Sequence, residues 1–416
     1  MIIYAAKHLL PVASAPIQNG AISVHEGRIV AVGRRKDVVK SHPGVEVRDL
    51  GDTAIIPGLI NAHTHIELSF MNGDPPAGGT FMTWIRDLVE RRARADAGAT
   101  AQAAAAAVET MVRRGTVAVG DVANGSWAAP ILARSGLHGA SFHELFGFRA
   151  ADAESILDGA AKRLEAIDAD PDVRGAKERI STILTPHAAH TTSHPLLRAL
   201  RGRAVASGEA LSIHVAESDE EAQLLRDGTG PFKDFLIERG AWDPGFKAPG
   251  LTPVEYLDRL GILTPQTLAV HCVHLDHQDL TRLQARGVTV VTCPRSNQRL
   301  GVGKAPVPKL LASGIPVALG TDSSASAPDV DVFTEVAHLR QEHPGLAPAA
   351  ALRIVTLNGA RALGLAKDLG TIEVGKLALL AVVGLNDPGD DPLEAVTWSS
   401  ESVTPLLQAA WETAPR

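Results

Sequence analysis

Between about residue 57 and residue 369, short apolar runs of β-type residues alternate with stretches of helical spacing. The runs are Leu59–Ala62, Val117–Val122, Gly139–Phe142, Ile180–Leu184, Leu211–Val215, Leu268–Val270, Val288–Thr292 and Pro316–Leu319. Phe81, Trp84, Ile85, Leu88 and Val89 recur at the spacing of one helical face. The alanine-rich stretch from Ala101 to Val112 gives a second helix. Strands that alternate with helices predict a parallel sheet, and eight units predict a closed (β/α)8 barrel. A doubly wound open sheet is the rival arrangement. No G-x-G-x-x-G opens a helix after the first strand, so a dinucleotide site has no support.

Both ends of the chain have a different texture. Ala21–Val24, the turn Glu26-Gly27-Arg28 and Ile29–Val32 read as a hairpin. Gly370–Lys376 and Leu377–Val383 also read as strand. These ends either form one small β-domain together or are two unrelated β-arms.

Composition narrows the class. Hydrophobic residues make up 45% and charged residues 21% of the 416, as in ordinary soluble proteins. The net charge of −7 and the lack of a basic block argue against a nucleic-acid partner. No apolar run reaches the roughly 18 residues of a spanning helix, and the start lacks the pattern of a signal peptide. Cys272 and Cys293 are too few for a disulfide framework. A cytoplasmic protein is expected, with a small-molecule partner and neither membrane nor nucleic acid. Dimers are the commonest oligomers, so a homodimer is the default. Sixteen histidines raise the expectation of metal or proton chemistry.

Barrel enzymes build their active sites at the C-terminal ends of the strands. Here those ends carry His63-Thr64-His65, Pro186-His187, His214-Val215-Ala216-Glu217, His271-Cys272-Val273-His274 and Thr321-Asp322. Period-two alternation puts His63 and His65 on one face, where they make half of a tetrahedral metal site. A closed barrel would bring His214 and Asp322 to them, giving four ligands with a position open to water. Zinc is the first choice and ferrous ion the second. The fourth run has neither a carboxylate nor a lysine to bridge a second ion, so a mononuclear site is expected. Glu217, three residues past His214, is placed to serve as general acid and base. Asp322 would also accept the water's proton, and His271 would hydrogen-bond the attacking hydroxide. His274 is either a further partner or a structural residue. Buried cysteines beside strands read as packing residues, not nucleophiles.

These motifs resemble the amidohydrolase superfamily, in the branch of ATZ/TRZ-type and cytosine or adenosine-type deaminases. The resemblance covers nearly the whole chain. It rests on Glu26–Gly33, Pro57–His65, His214–Glu217, His271–Leu275, Cys293–Asn297 and Gly320–Ser323. It implies a distorted TIM barrel over 57–369 with a composite β-sandwich from 1–56 and 370–416, and a single zinc or iron. It further implies that Glu217 protonates a ring nitrogen, hydroxide adds to the amine-bearing carbon, and the adduct loses ammonia.

Glu67-Leu68-Ser69-Phe70, followed by Thr80–Ile85, looks like the aminodeoxyfutalosine deaminases of menaquinone biosynthesis. Gly228–Phe232 is similar to relatives of that group. By the same resemblance His187 contacts the sugar. Many relatives carry Pro-Tyr where this chain has Ala189-His190, and Asp where it has Leu379. The expectation is therefore a deaminase of a 6-aminopurine nucleoside derivative, with 6-amino-6-deoxyfutalosine first. S-adenosylhomocysteine, methylthioadenosine, adenosine, guanine or triazine chemistry is the alternative. A non-catalytic scaffold would have lost its ligands, and these are intact.

Other contacts have two readings each. Trp84 would stack on a base or pack in the core. Glu144 would hold ribose hydroxyls or sit solvated on the rim. Asn297 and Arg299 would line the pocket or lie on a surface loop. No role is assigned to His190 or Glu67.

Overall fold

A computed structural model describes residues 1–71, 79–385, 391–398 and 403–406. The N-terminal strands are β1 (Ile2–Leu9), β2 (Ile17–His25), β3 (Arg28–Arg34), β4 (Val47–Asp49) and β5 (Thr53–Pro57). The expected hairpin is β2–β3, closed at His25 and Arg28. Its turn residues Glu26 and Gly27 have φ of 49° and 72°. Two left-handed residues match the right-handed twist of the flanking strands, and Gly27 adopts that conformation without strain.

Eight parallel strands follow: β6 (Leu59–Thr64), β7 (Thr116–Ala123), β8 (His138–Leu145), β9 (Ile180–Pro186), β10 (Leu211–Val215), β11 (Thr267–His271), β12 (Thr289–Thr292) and β13 (Val317–Leu319). Each overlaps one of the eight expected runs. They form two four-stranded parallel sheets, β6 to β9 and β10 to β13. Backbone bonds join the two sheets at the C-terminal ends of the strands. Thr321 and Asp322 N–H donate to the His63 carbonyl at 3.0 and 3.1 Å, and His214 N–H donates to the His187 carbonyl at 2.9 Å. The ring is thus a distorted barrel, tied at its active end. Gly320 is required at one seam, because a Cβ there would stand 2.7 Å from the His63 carbonyl oxygen.

Helices cover the barrel's outside. Helix Ala97–Arg113 buries Thr100, Ala104, Val108 and Met111 at spacings of three and four, and Asp96 caps it by accepting from Ala99 N–H. Helix Phe81–Ala93 is capped by Thr80. It buries only Phe81 and Met82 fully; the rest of its apolar face turns toward a cavity.

The C-terminal stretch differs from expectation. Only Leu380–Gly384 forms a strand, β14, with β15 at Val403–Pro405. Gly370 and Gly375 have φ of 86° and 93°, which breaks an extended run. The intervening loop instead caps the β2–β3 turn, with Ile29 N–H donating to the Lys376 carbonyl and Ala378 N–H to Gly27. β14 pairs antiparallel with β5, so strands from both ends share one sheet in the order β15-β14-β5-β1-β2-β3. Part of the 370–416 segment, at 386–390, 399–402 and 407–416, lies outside the described residues. Among the described residues no helix is long and apolar enough to cross a membrane.

Candidate active site

Left-handed backbone marks the rim. Ala216, His271, Cys272 and Asp322 have φ between 48° and 71° at the ends of β10, β11 and β13. None is glycine, so each carries strain of roughly 1–3 kcal/mol, the kind that a functional site retains. These sharp turns bring side chains of separate strands to one point. The ring centroids of His63 lie 4.9 Å from His65 and 5.0 Å from His214. Asp322 Oδ1 stands 3.9 Å from His63 Nε2 and 3.6 Å from His65 Nε2. Ligands about 2.0–2.1 Å from a tetrahedral zinc would be roughly 3.4 Å apart.

The donor set fits a divalent cation. His63 is fully buried, and neither of its ring nitrogens has a hydrogen-bond partner among the described residues. Such a group is costly unless something absent from the polypeptide satisfies it. His214 Nδ1 donates to the His187 carbonyl at 2.9 Å, which leaves the Nε2 lone pair for the centre. Burial holds His63 and His65 below the ordinary imidazole value and His214 down to about 3. All three are therefore neutral, the form that ligates. Burial works against the Asp322 carboxylate, and the hydroxyl that Ser296 donates to it favours the ionised form. Its Oδ2 accepts from Ser296 Oγ at 2.6 Å and Ser326 Oγ at 3.0 Å, so Oδ1 is turned to the imidazoles.

Glu217 and His271 complete the inner wall. Glu217 Oε1 is 3.6 Å from His271 Nε2. Burial, reinforced by Asp322, pushes the Glu217 carboxyl up to about 7. Near that value a carboxyl both gives and takes protons at neutral pH. His271 Nδ1 donates to Asn297 Oδ1 at 2.9 Å, which fixes the ring and points Nε2 at Glu217. His65, His214, Glu217, His271 and Asp322 all open on one cavity of about 630 Å³. Its outer wall is apolar: Phe81, Trp84 and Leu88 from one helix, Phe232, Phe235 and Leu236 from helix Pro231–Glu238.

Residues 54–407 match the family model described as the amidohydrolase family. This chain belongs to that family. An aminodeoxyfutalosine deaminase of Deinococcus radiodurans is 34% identical over 358 residues, covering 83% of this chain and 81% of the relative. A 5-methylthioadenosine/S-adenosylhomocysteine deaminase of Nitratidesulfovibrio vulgaris is 33% identical over 395 residues, covering 91% and 81%. An adenosine deaminase structure from Xanthomonas campestris with bound zinc superposes with a TM-score of 0.79 at 26% identity, covering 96% of this chain and 89% of that one. Helicobacter pylori aminofutalosine deaminase, in complex with methylthio-coformycin, shares the fold with a TM-score of 0.81 at 22% identity and 95% coverage of both chains. Membership and these relatives make the protein a hydrolase of carbon–nitrogen bonds in a family whose members typically use divalent metals.

Against that family frame, the remaining residues sort by position. Glu144 is buried, not solvated. Its Oε1 lies 3.6 Å from His214 Nδ1, and burial with Glu67 pushes its carboxyl up to about 8. His187 lines the cavity, stacked on Phe146 at 4.3 Å, with Nδ1 bonded to Thr191 Oγ1. Trp84 stacks on Phe81, donates Nε1–H to the Ala325 carbonyl, and lines the cavity. Asn297 corrects the expectation of a pocket contact. It is 1% exposed, does not line the cavity, and serves His271 from behind. His274 is held by the Val302 carbonyl and Asp219, off the cavity, which favours the structural reading. Burial raises the Cys272 and Cys293 thiols, which suits packing residues.

Glu67 is tied to Arg92 and accepts from the backbone of Asn124 and Gly125, so it anchors the loop after β7. Sequence reading missed Arg92 and Arg239, both on the cavity. Arg92 was detectable, since it follows Leu88 by four residues on the same helical face. Arg239 follows the last turn of its helix and carries no such signal.

Proposed function

We propose that this hydrolase is a metal-dependent deaminase of adenine nucleosides, with 6-amino-6-deoxyfutalosine as first substrate. The observation that carries it is the Glu217–His271 pair, 3.6 Å apart, on the wall of the cavity into which His65, His214 and Asp322 open. His63, His65, His214 and Asp322 would hold one divalent ion, zinc before iron. Such an ion, when bound, supplies a water acidic enough to attack at neutral pH. Asp322 Oδ1, on the side facing the imidazoles, would accept a proton from the attacking water. Glu217, protonated near neutrality, delivers its proton to the ring nitrogen beside the amine-bearing carbon. His271, whose Nδ1–H is committed to Asn297, would accept a hydrogen bond from the attacking water at Nε2. As C–N cleaves, the proton held by Asp322 passes to the leaving amine, the hydroxyl proton of the adduct returns to Glu217, and ammonia departs. The atoms balance: water and the amine give the oxo base and ammonia.

His187 and the buried Glu144 carboxyl would hold the sugar, and Trp84 with the outer apolar wall the group beyond it; all line the one cavity. That wall, with the exposed cation of Arg239 at its edge, suits a flat apolar substituent ending in a carboxylate. This favours the aminodeoxyfutalosine reading and a place in menaquinone synthesis. A second reading, methylthioadenosine or S-adenosylhomocysteine, is favoured by the relatives with the longer match. An ammonia-release screen over aminodeoxyfutalosine, methylthioadenosine, S-adenosylhomocysteine, adenosine, guanine and cytosine separates them by kcat/KM. Activity on none of the adenine nucleosides would overturn the proposal, as would full turnover in protein shown to be metal-free.

A further inference from the structure

Two buried groups beside Glu217 lack the partners their chemistry demands. Glu221 is fully buried, and its Oε2 accepts the backbone N–H of Glu217 at 3.0 Å. Its Oε1 has no hydrogen-bond partner among the described residues, and neither has Nδ1 of His190, itself 3% exposed. These two atoms face each other at 3.7 Å. A shift of about 0.8 Å would close them to an ordinary hydrogen bond. The imidazole is held from two other sides, against Phe232 at 4.1 Å and edge-on to His187 at 5.8 Å. With Nδ1 turned to Glu221, the nitrogen left for the cavity is Nε2, on the opposite edge of the ring. His190 lines that cavity together with Glu217 and His187.

We propose that His190 is a substrate-binding residue that sets specificity, and that Glu221 is the positioning residue for both His190 and Glu217. His190 Nε2 hydrogen-bonds the nucleoside between the ring nitrogen served by Glu217 and the sugar at His187. One carboxylate then fixes the proton donor through its backbone and the binding group through its side chain, so the two keep a constant offset. Preorganisation of this kind governs how well a bound substrate meets its acid. The inference rests on the nucleoside reading above.

The test uses full-length, zinc-loaded protein and the adenine nucleoside that the wild type turns over best. His190→Phe keeps the stack on Phe232 and removes the hydrogen bond. It should raise KM about tenfold, with kcat within about threefold. His190→Gln, which offers an amide near the position of Nε2, should return KM to within about threefold of wild type. Glu221→Gln keeps an acceptor for Glu217 N–H but loses the anion facing His190. It should raise KM about tenfold, and the double variant His190→Phe/Glu221→Gln should show no further rise, because both changes break one unit. A merely structural Glu221 would give multiplied effects on KM, and that result overturns its positioning role. An unchanged KM in His190→Phe overturns the inference outright. If Glu221→Gln fails to fold, the two His190 variants decide alone. A wild type that releases ammonia from no adenine nucleoside defeats the functional reading and this inference together, whereas an active wild type with an insensitive His190 defeats only this one.

Discussion

Ser296 and Ser326 give the sharpest quantitative test of the metal site, because they touch only one of its proposed ligands. Both hydroxyls donate to Asp322 Oδ2, at 2.6 and 3.0 Å, and Ser296 Oγ also lies 2.8 Å from Ser326 Oγ. Asp322 is buried, so water does not replace a lost donor. A hydrogen bond to a charged group contributes about 1.5–3 kcal/mol, and each 1.4 kcal/mol is tenfold in an equilibrium. With Ser326 still in place, Ser296→Ala should lower zinc affinity by about tenfold. The double variant Ser296→Ala/Ser326→Ala should lower it by about a hundredfold, the upper range for outer-shell partners of a metal. The pH dependence has a definite sign. The Ser296 hydroxyl helps hold the Asp322 carboxyl low; without it the carboxyl rises, protons compete better with zinc, and the deficit widens as pH falls. Competition against a chromogenic chelator at pH 7.5 and 6 measures both effects, and thermal midpoints report any loss of folding. Wild-type zinc affinity in the double variant at both pH values would refute the assignment of Asp322 as a ligand oriented through Oδ2.

Glu217→Gln should retain one zinc per chain yet lose about 10²–10⁴ in kcat, the usual contribution of a general acid–base group; turnover within tenfold of wild type would remove Glu217 from the mechanism. Asn297→Leu should lower kcat/KM about tenfold by freeing the His271 ring, with metal content unchanged, and unaltered kinetics would mean that His271 is oriented by packing alone. At the opposite end of the barrel, burial and then Arg179 hold His138 down to about 4. Its folded value lies below its unfolded value of 6.5, so the unfolded chain binds the proton more tightly and stability is lost as pH falls from about 6.5 to 4. His138→Gln should lose less stability over that window in urea titrations, and parallel curves for the two proteins would contradict this.

The hydrophobic pattern alone determined the barrel. Eight short apolar runs separated by helical spacing became β6 to β13, because a strand buried on both faces must be apolar along its length. The rim residues followed from that, since in parallel barrels loops at the C-terminal strand ends carry the site. His63-Thr64-His65 was legible by period two, and His214 and Glu217 by their place at the end of β10. The β-strands at the C-terminus were less so: Gly370 and Gly375 looked tolerable in a strand until their positive φ placed them in a loop. The fold also couples residues that periodicity presents singly. Asn297 looked like a pocket residue, but a sequence cannot show that the short helix after β12 turns its amide toward His271 from behind. Nothing in Ala216, His271 or Cys272 as residue types announces a left-handed backbone. The opposed groups of Glu221, in the first turn of a helix, and His190, on the loop after β9, lie 31 residues apart. Local periodicity reports which face of an element is buried, whereas hydrogen-bond partnership depends on distances between elements, and only the closed barrel fixes those.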